Sequence, residues 1–275
     1  MNNDIYINRL RENRKLLNDY IDQYFQKENI LDESMKYALA GGKMIRASLY
    51  LETRRIFSKD ITKEDILYAL AIEMIQAYTL VHDDLPSMDN DDFRRGRESV
   101  HRHFGEDIGI LAGDGLLNEA ARILFKLALK NPLYIKASSY LFDKLGKDGV
   151  IYGQVLDLRR RDSYDLDFLL KVYDKKTADF FKAALVSGGL VSGISEVKIK
   201  SLEKFAYYLG LGFQIQDDLL EEDYKDEINI LRLMDKDEAR LLLDDINKKC
   251  FNEIKGIENN DFYIFLIQYL TKRKY

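Results

Sequence analysis

The chain has 275 residues, with 42 Lys and Arg against 47 Asp and Glu, a formal net charge of −5, and 46% apolar residues. These proportions describe a folded globular protein and exclude a disordered or fibrous one. The mildly acidic balance excludes a nucleic-acid binder that relies on an overall basic surface. A single cysteine, Cys250, allows no intramolecular disulfide and no cysteine-based metal site. The N-terminus lacks a basic patch followed by an apolar run, so no signal peptide is read. The longest apolar stretch, residues 66–81, carries Glu73 and Gln76 and falls short of the ~20 residues that a membrane span needs. A cytoplasmic protein without a membrane span is expected.

With only two prolines, long segments are free to be helical. Apolar residues recur at intervals of three and four, and strand-type alternation is rare. An all-α chain of about ten or more helices in a single domain, 1–275, is expected. Residues 4–29 read as an amphipathic surface helix. Asp32 or Ser34 would cap the next helix, which Gly41-Gly42 interrupts before a further stretch at 43–57. Residues 63–82 form a helix apolar all round, which marks it as buried. Residues 83–105 read as a functional loop. Helices follow at 108–130, 133–146, 148–160, 165–186, 198–220, 235–255 and 260–272, with Pro132 at a corner. Gly188-Gly189 and Gly193 either break a helix or let a neighbour pack closely.

Two acidic clusters end apolar helices. In the first, Asp83, Asp84, Asp89, Asp91 and Asp92 crowd into ten residues where a helix terminus already carries partial negative charge. Hard divalent cations neutralise such a set, and all-oxygen ligands suit Mg²⁺. Arg94 and Arg95 follow at once, as expected of groups that meet a phosphate or diphosphate beside the metal. The second cluster is Gln214-Ile215-Gln216-Asp217-Asp218-Leu219-Leu220-Glu221, in which Gln214, Asp218 and Glu221 share one helical face.

Lys43 and Arg46 lie three apart after a glycine pair that lets the backbone approach an anion. Lys175-Lys176-Thr177 sits in a helical segment. Gln154 and Asp157 form a polar pair at i, i+3, readable equally as a satisfied buried contact or as part of the site. His101 and His103 do not share a helix face, which favours a loop contact over zinc.

In order along the chain, Gly41-Gly42-Lys43-x-x-Arg46, Asp83-Asp84-x4-Asp89 with Arg94-Arg95-Gly96, Phe104-Gly105, Leu111-Ala112-Gly113-Asp114, Gly153-Gln154-x-x-Asp157, Lys176-Thr177-Ala178 and Gly212-Phe213-Gln214-Ile215-Gln216-Asp217-Asp218 resemble the trans-isoprenyl diphosphate synthases, most closely their bacterial farnesyl diphosphate synthase branch. The resemblance implies the isoprenoid synthase fold, a helical bundle around a deep central cavity, and a homodimer. It implies three Mg²⁺ ions held by Asp83, Asp84, Asp89, Asp217, Asp218 and Glu221. Arg94, Lys176, Thr177 and Gln214 would bind the allylic diphosphate and draw charge onto the leaving group. Lys43, Arg46, Gln76 and Arg95 would hold isopentenyl diphosphate. Tyr78, five residues before Asp83, would floor the product pocket and favour the C15 product, with C20 next.

The chain departs from the family at Gln76, where histidine is usual, at Ala47 for proline, and at Glu221 for aspartate. The loop after Glu221 is shorter, with Glu227 in place of an expected lysine and Lys225 as a substitute. That shortening motivates a second reading, a weakly active or inactive paralogue acting as a partner subunit. A terpene cyclase is the third, opposed by the cations that would hold a second diphosphate.

Overall fold

The computed structural model describes residues 3–26, 28–58, 60–159, 163–221 and 228–271. The expectations for Lys225, Glu227 and the C-terminal 272–275 lie outside these. Among the described residues the chain is helical apart from one two-stranded ribbon, as the proline count and apolar spacing imply. It divides into two compact units, one made of Ile7–Leu51 and Asp60–Ile135, the other of Met1–Tyr6, Glu52–Lys59 and Lys136–Tyr275.

In the first unit, most of α1 (Asn3–Tyr24) buries Leu10, Leu17 and Ile21 on one stripe. Helix α2 (Ile30–Leu39) is capped by Asn29, whose side chain accepts from the amides of Leu31 and Asp32 at 3.1 and 2.9 Å. The cap therefore lies ahead of the expected Asp32 or Ser34. A loop with left-handed backbone at Gly41 and Met44 leads into α3 (Ile45–Ser58), which passes into the second unit. Helix α4 (Lys63–Asp83) opens on a capping box between Thr62 and Asp65. Every residue from Tyr68 to Tyr78 is buried, so α4 is a core helix.

The expected loop at 83–105 has more structure than its composition announced. It holds a tight ribbon, β1 (Phe93–Arg94) and β2 (Arg97–Glu98), and a short helix, α5 (Val100–Phe104). Helix α6 (Glu106–Lys130) then packs along α4. Gly113 allows that approach, because a Cβ there would lie 2.1 Å from Nε2 of His82.

The second unit holds most of α7 (Pro132–Leu145), then α8 (Val150–Leu158) and α9 (Leu166–Tyr173). Next come α10 (Asp179–Val191), α11 (Glu196–Leu220), α12 (Lys236–Ile254) and α13 (Asp261–Thr271). Helix α11 packs against α10, α12 and α13. Helix α10 runs through Gly188-Gly189, and a Cβ on Gly189 would meet Leu202, Ile194 and Ile199 at 2.9–3.0 Å. Gly189 thus serves close packing, and the pair does not break the helix, which ends at Val191 shortly before the left-handed Gly193.

The predicted helix 165–186 is interrupted between α9 and α10. Asp174–Ala178 winds as a π turn, the wide i→i+5 winding that is rare and recurs at functional sites. Two glycines accommodate it. A Cβ on Gly153 of α8 would lie 2.3 Å from the backbone nitrogen of Lys176, and one on Gly210 of α11 would lie 2.4 Å from Cα of Ala178. Backbone cannot retreat as a side-chain tip can. Gly153→Ala and Gly210→Ala are each expected to destabilise the chain by about 1–3 kcal/mol through overpacking, measured as a lower midpoint in urea unfolding.

Candidate functional site

The first acidic cluster is built on the end of α4. The helix stops at Asp83, and the chain folds back so that the amide of Asp89 donates to the carbonyl of Asp83 at 2.8 Å. The four-residue spacer thereby returns Asp89 to the helix end. Asp84 turns inward and is 2% exposed. Its Oδ1 accepts from Arg94 Nε at 2.9 Å and also from Nη2, which reaches Asp91 Oδ2 at 2.9 Å as well. Burial raises the Asp84 carboxyl above its usual range against the pull of Arg94. Burial likewise opposes the charge on Arg94, but the bond to Asp84 and the charges of Asp84, Asp91 and Asp83 together outweigh it and keep the guanidinium charged.

The two consecutive arginines diverge. Arg94 lies on the ribbon, whereas Arg95 and Gly96 form its two-residue turn with φ of 56° and 77°, the left-handed pair that such hairpins require. A non-glycine residue there costs roughly 1–2 kcal/mol. The conformation carries the Arg95 guanidinium to the end of α2, where Nη1 donates to the carbonyls of Ala38 and Ala40 at 3.3 and 3.2 Å. Cations suit this position, because the last carbonyls of a helix lack intrahelical partners. A Cβ on Gly42 would lie 3.0 Å from that same Nη1, so the glycine pair makes room for Arg95 beside Lys43.

Arg46 stands in the first turn of α3, and the amide of Ala47 donates to the buried carboxylate of Glu73 at 3.1 Å. Burial raises Glu73, while the Ala47 amide and the charges of Arg46 and Arg95 pull it down. The structure thus gathers Lys43, Arg46 and Arg95 around one stretch of backbone. A small pocket is lined by Ala77, Asp84, Arg94, Arg95, Arg97 and Ser99, among others. Gln76 is buried, and its amide oxygen has no partner among the described residues. Tyr78 is buried edge-on to His82, with ring centroids 5.7 Å apart. Burial, then the charge of Asp83, raises its hydroxyl.

The second cluster ends α11. Asp218 is also 2% exposed, and its oxygens accept three hydrogen bonds. They come from the Tyr173 hydroxyl, from the amide of Ile230 at 2.7 Å, and from Gln214 Nε2 at 3.1 Å. Burial pushes its carboxyl up to about 6 in spite of these donors. Gln214 and Asp218 share a face as the spacing implies. Glu221 does not, because the helix ends at Leu220 and Glu221 is extended. Its carboxylate instead accepts from Asn229 Nδ2 at 2.9 Å, which ties the helix end to the segment that leads into Ile230.

On the π turn, Thr177 Oγ1 donates to Gln214 Oε1 at 2.9 Å, and Lys176 pairs with Asp157 of α8. Lys176, Thr177, Gln214 and Asp157 therefore belong to one constellation. Gln154 is not satisfied by Asp157, and both of its amide atoms lack a partner among the described residues. His101 bonds to Ser99 at 3.0 Å and His103 to Glu98 at 3.0 Å, the loop contacts expected of them.

Both aspartate pairs follow one plan. The second member is buried and held by the chain's own donors, while Asp83 and Asp217 remain partly exposed. Among the described residues no three Asp, Glu, His or Cys side chains already converge as a metal cluster. Oxygen donors of this kind would suit Mg²⁺, which takes one or two carboxylates together with water and phosphate oxygens. Asp83 with Asp89, and Asp217, could supply the carboxylates, and the amide oxygen of Gln76 and both amide atoms of Gln154 have no partner among the described residues.

The sequence reading missed Glu73, Tyr173 and Lys182. Glu73 and Lys182 carried a signal, since each is a lone charge inside an apolar run. Tyr173 carried none, because its partner is 45 residues away.

The polyprenyl synthetase family pattern matches residues 28–229. A farnesyl diphosphate synthase from Micrococcus luteus is 31% identical over 96% of this chain and 98% of its own length. Among solved structures, an FPP/GFPP synthase from Zymomonas mobilis superposes with a TM-score of 0.87 at 28% identity, covering 97% of this chain and 99% of that one. A geranyltransferase from Legionella pneumophila gives 0.89 at 25% identity, covering 100% and 99%. The ordered motifs, the all-helical fold and these matches together make the chain a member of the polyprenyl synthetase family, a prenyltransferase-type enzyme similar to bacterial farnesyl diphosphate synthases.

Proposed function

We propose that the chain, acting over 1–275 as one catalytic domain in the cytoplasm, condenses an allylic diphosphate, dimethylallyl or geranyl, with isopentenyl diphosphate to give farnesyl diphosphate. The observation that carries this reading is the divergence of Arg94 and Arg95. One guanidinium serves the acidic helix end and the other the Lys43 loop, which provides for two diphosphates. A cyclase has one diphosphate to hold and no use for the second set.

Mg²⁺ bound by Asp83, Asp89 and Asp217 would neutralise charge on the allylic diphosphate. Arg94 and Lys176 donate to the same leaving group, and Thr177 and Gln214 orient it. Asp84 and Asp218 act through others, Asp84 by aiming Arg94 and Asp218 by fixing Gln214. The C–O bond breaks, the diphosphate keeps the electron pair, and an allylic cation remains. Lys43, Arg46, Arg95 and Gln76 hold isopentenyl diphosphate so that its double bond attacks the cation. The proton then lost goes to the released diphosphate. Stabilisation of the leaving group away from water is the central demand, because water would quench the cation. Tyr78 on α4 limits the product to C15.

Incubation with Mg²⁺, isopentenyl diphosphate and geranyl diphosphate is expected to yield farnesyl diphosphate, with loss of turnover in EDTA and a drop of about 100-fold or more in Asp83→Ala. No turnover under any of these conditions would instead favour the partner-subunit reading, and a hydrocarbon product the cyclase. Tyr78→Ala is expected to shift the product to C20 and longer, read by chromatography of the dephosphorylated prenols; unchanged chain length removes Tyr78 as the floor. A homodimer is proposed through α6, where Leu129 is 90% and Phe125 71% exposed one turn apart. Light scattering should give twice the 32.1 kDa chain mass, and Phe125→Asp with Leu129→Asp should give the single-chain mass.

A further inference from the structure

The second unit holds a charged quartet, with Lys182 and Asp179 buried and Asp174 and Lys175 partly exposed, that the proposed reaction does not use. Lys182 lies inside α10 with its side chain 8% exposed. Its Nζ pairs with Asp174 and, at 2.8 Å, with Asp179 Oδ1. Asp179, whose side chain is 1% exposed, also accepts from Lys175 at 3.1 Å. The ring of Tyr207 on α11 lies 4.9 Å from the Lys182 ammonium. Burial opposes the charge on Lys182, but the bonds to Asp174 and Asp179 outweigh it, so the group stays protonated above its ordinary range.

Buried ion pairs contribute little net stability, since desolvation offsets their attraction. Their placement here is what distinguishes them. Asp174 opens the π turn and Asp179 follows its last residue, so one ammonium bridges both ends of the five residues that contain Lys176 and Thr177. Gly153 and Gly210 provide space for the wide winding, but space alone does not select it over the regular α winding that the flanking helices adopt.

We infer that Lys182 is a positioning residue for prenyl transfer: by clamping Asp174 to Asp179 it keeps the π turn wound, so that Lys176 meets Asp157 and Thr177 meets Gln214. Lys175, beside the catalytic Lys176, belongs to the clamp and not to the diphosphate. The inference rests on the proposed role of Lys176 and Thr177 at the leaving group.

The test compares steady-state kinetics of Lys182→Met, the neutral double variant Asp174→Asn with Lys182→Met, Lys182→Arg and Lys176→Ala, each checked by thermal melting. The double variant removes one charge of each sign and leaves Lys175 with Asp179, so it carries the test should Lys182→Met fail to fold. Expected are a fall in kcat of about 10- to 100-fold from misplacement of Lys176, a raised KM for geranyl diphosphate, an unchanged KM for isopentenyl diphosphate, and substantial recovery in Lys182→Arg. A folded double variant with parental kinetics overturns the inference, as does an equal rise in both KM values, which marks general loosening. If Lys176→Ala turns over like the parent, the underlying reading of the π turn fails instead. Hydrogen exchange on the unaltered chain gives an independent measure: amides of residues 175–178 should be protected as strongly as those of α10, and exchange at loop rates would overturn the clamp.

Discussion

The constraint on which the rest depends is electrostatic: a carboxylate at the C-terminal end of a buried helix faces like charge from the helix itself. This chain meets that problem twice, at Asp84 and Asp218, and answers it with its own donors. Arg94 reaches Asp84 from the ribbon, and Tyr173, Gln214 and the Ile230 amide reach Asp218. Each buried aspartate becomes an anchor around which the local backbone is arranged. Its neighbour, Asp83 or Asp217, is thereby left at the helix end. A motif that reads as two equivalent acids in sequence is in structure one anchor and one partly exposed group.

Much of this was legible in the residues. The all-helical fold follows from proline scarcity and apolar spacing, and the buried character of α4 follows from its unbroken apolar run. The acidic clusters and the Lys43–Arg46 pair were visible because charge at the end of an apolar helix is costly unless something binds it. What remained hidden was geometry that depends on distant partners. The Arg95-Gly96 turn is formed without the usual Asn-Gly signal, because the carbonyls of Ala38 and Ala40 give Arg95 a destination. The π turn cannot be read from Asp174–Ala178 itself, since its cause lies partly in Gly153 and Gly210 on other helices. Glu221 keeps helical spacing in sequence, yet Asn229 receives its carboxylate outside the helix.

Glycine and charge therefore cooperate in placing the chemistry. The glycines set how near two backbones come, and the charges decide what occupies the space. Gly42 admits a guanidinium, Gly113 an imidazole, and Gly153 and Gly210 a widened turn of backbone. Gly113, Gly153 and Gly210 lie inside helices, where no chain reversal explains them by conformation alone.

The widened turn has an evolutionary corollary. A π turn holds one residue more than the regular helix would over the same rise, and each residue of a regular helix turns the chain by about 100°. Loss of a single codon between Tyr173 and Asp179 would leave a smooth helix with α9 and α10 still in register, but it would remove the bulge that sets Lys176 and Thr177. Such a loss is the change of length that the flanking helices absorb best and that the placement of Lys176 and Thr177 absorbs worst, whereas a gap on either side of the bulge would rotate one helix against the other.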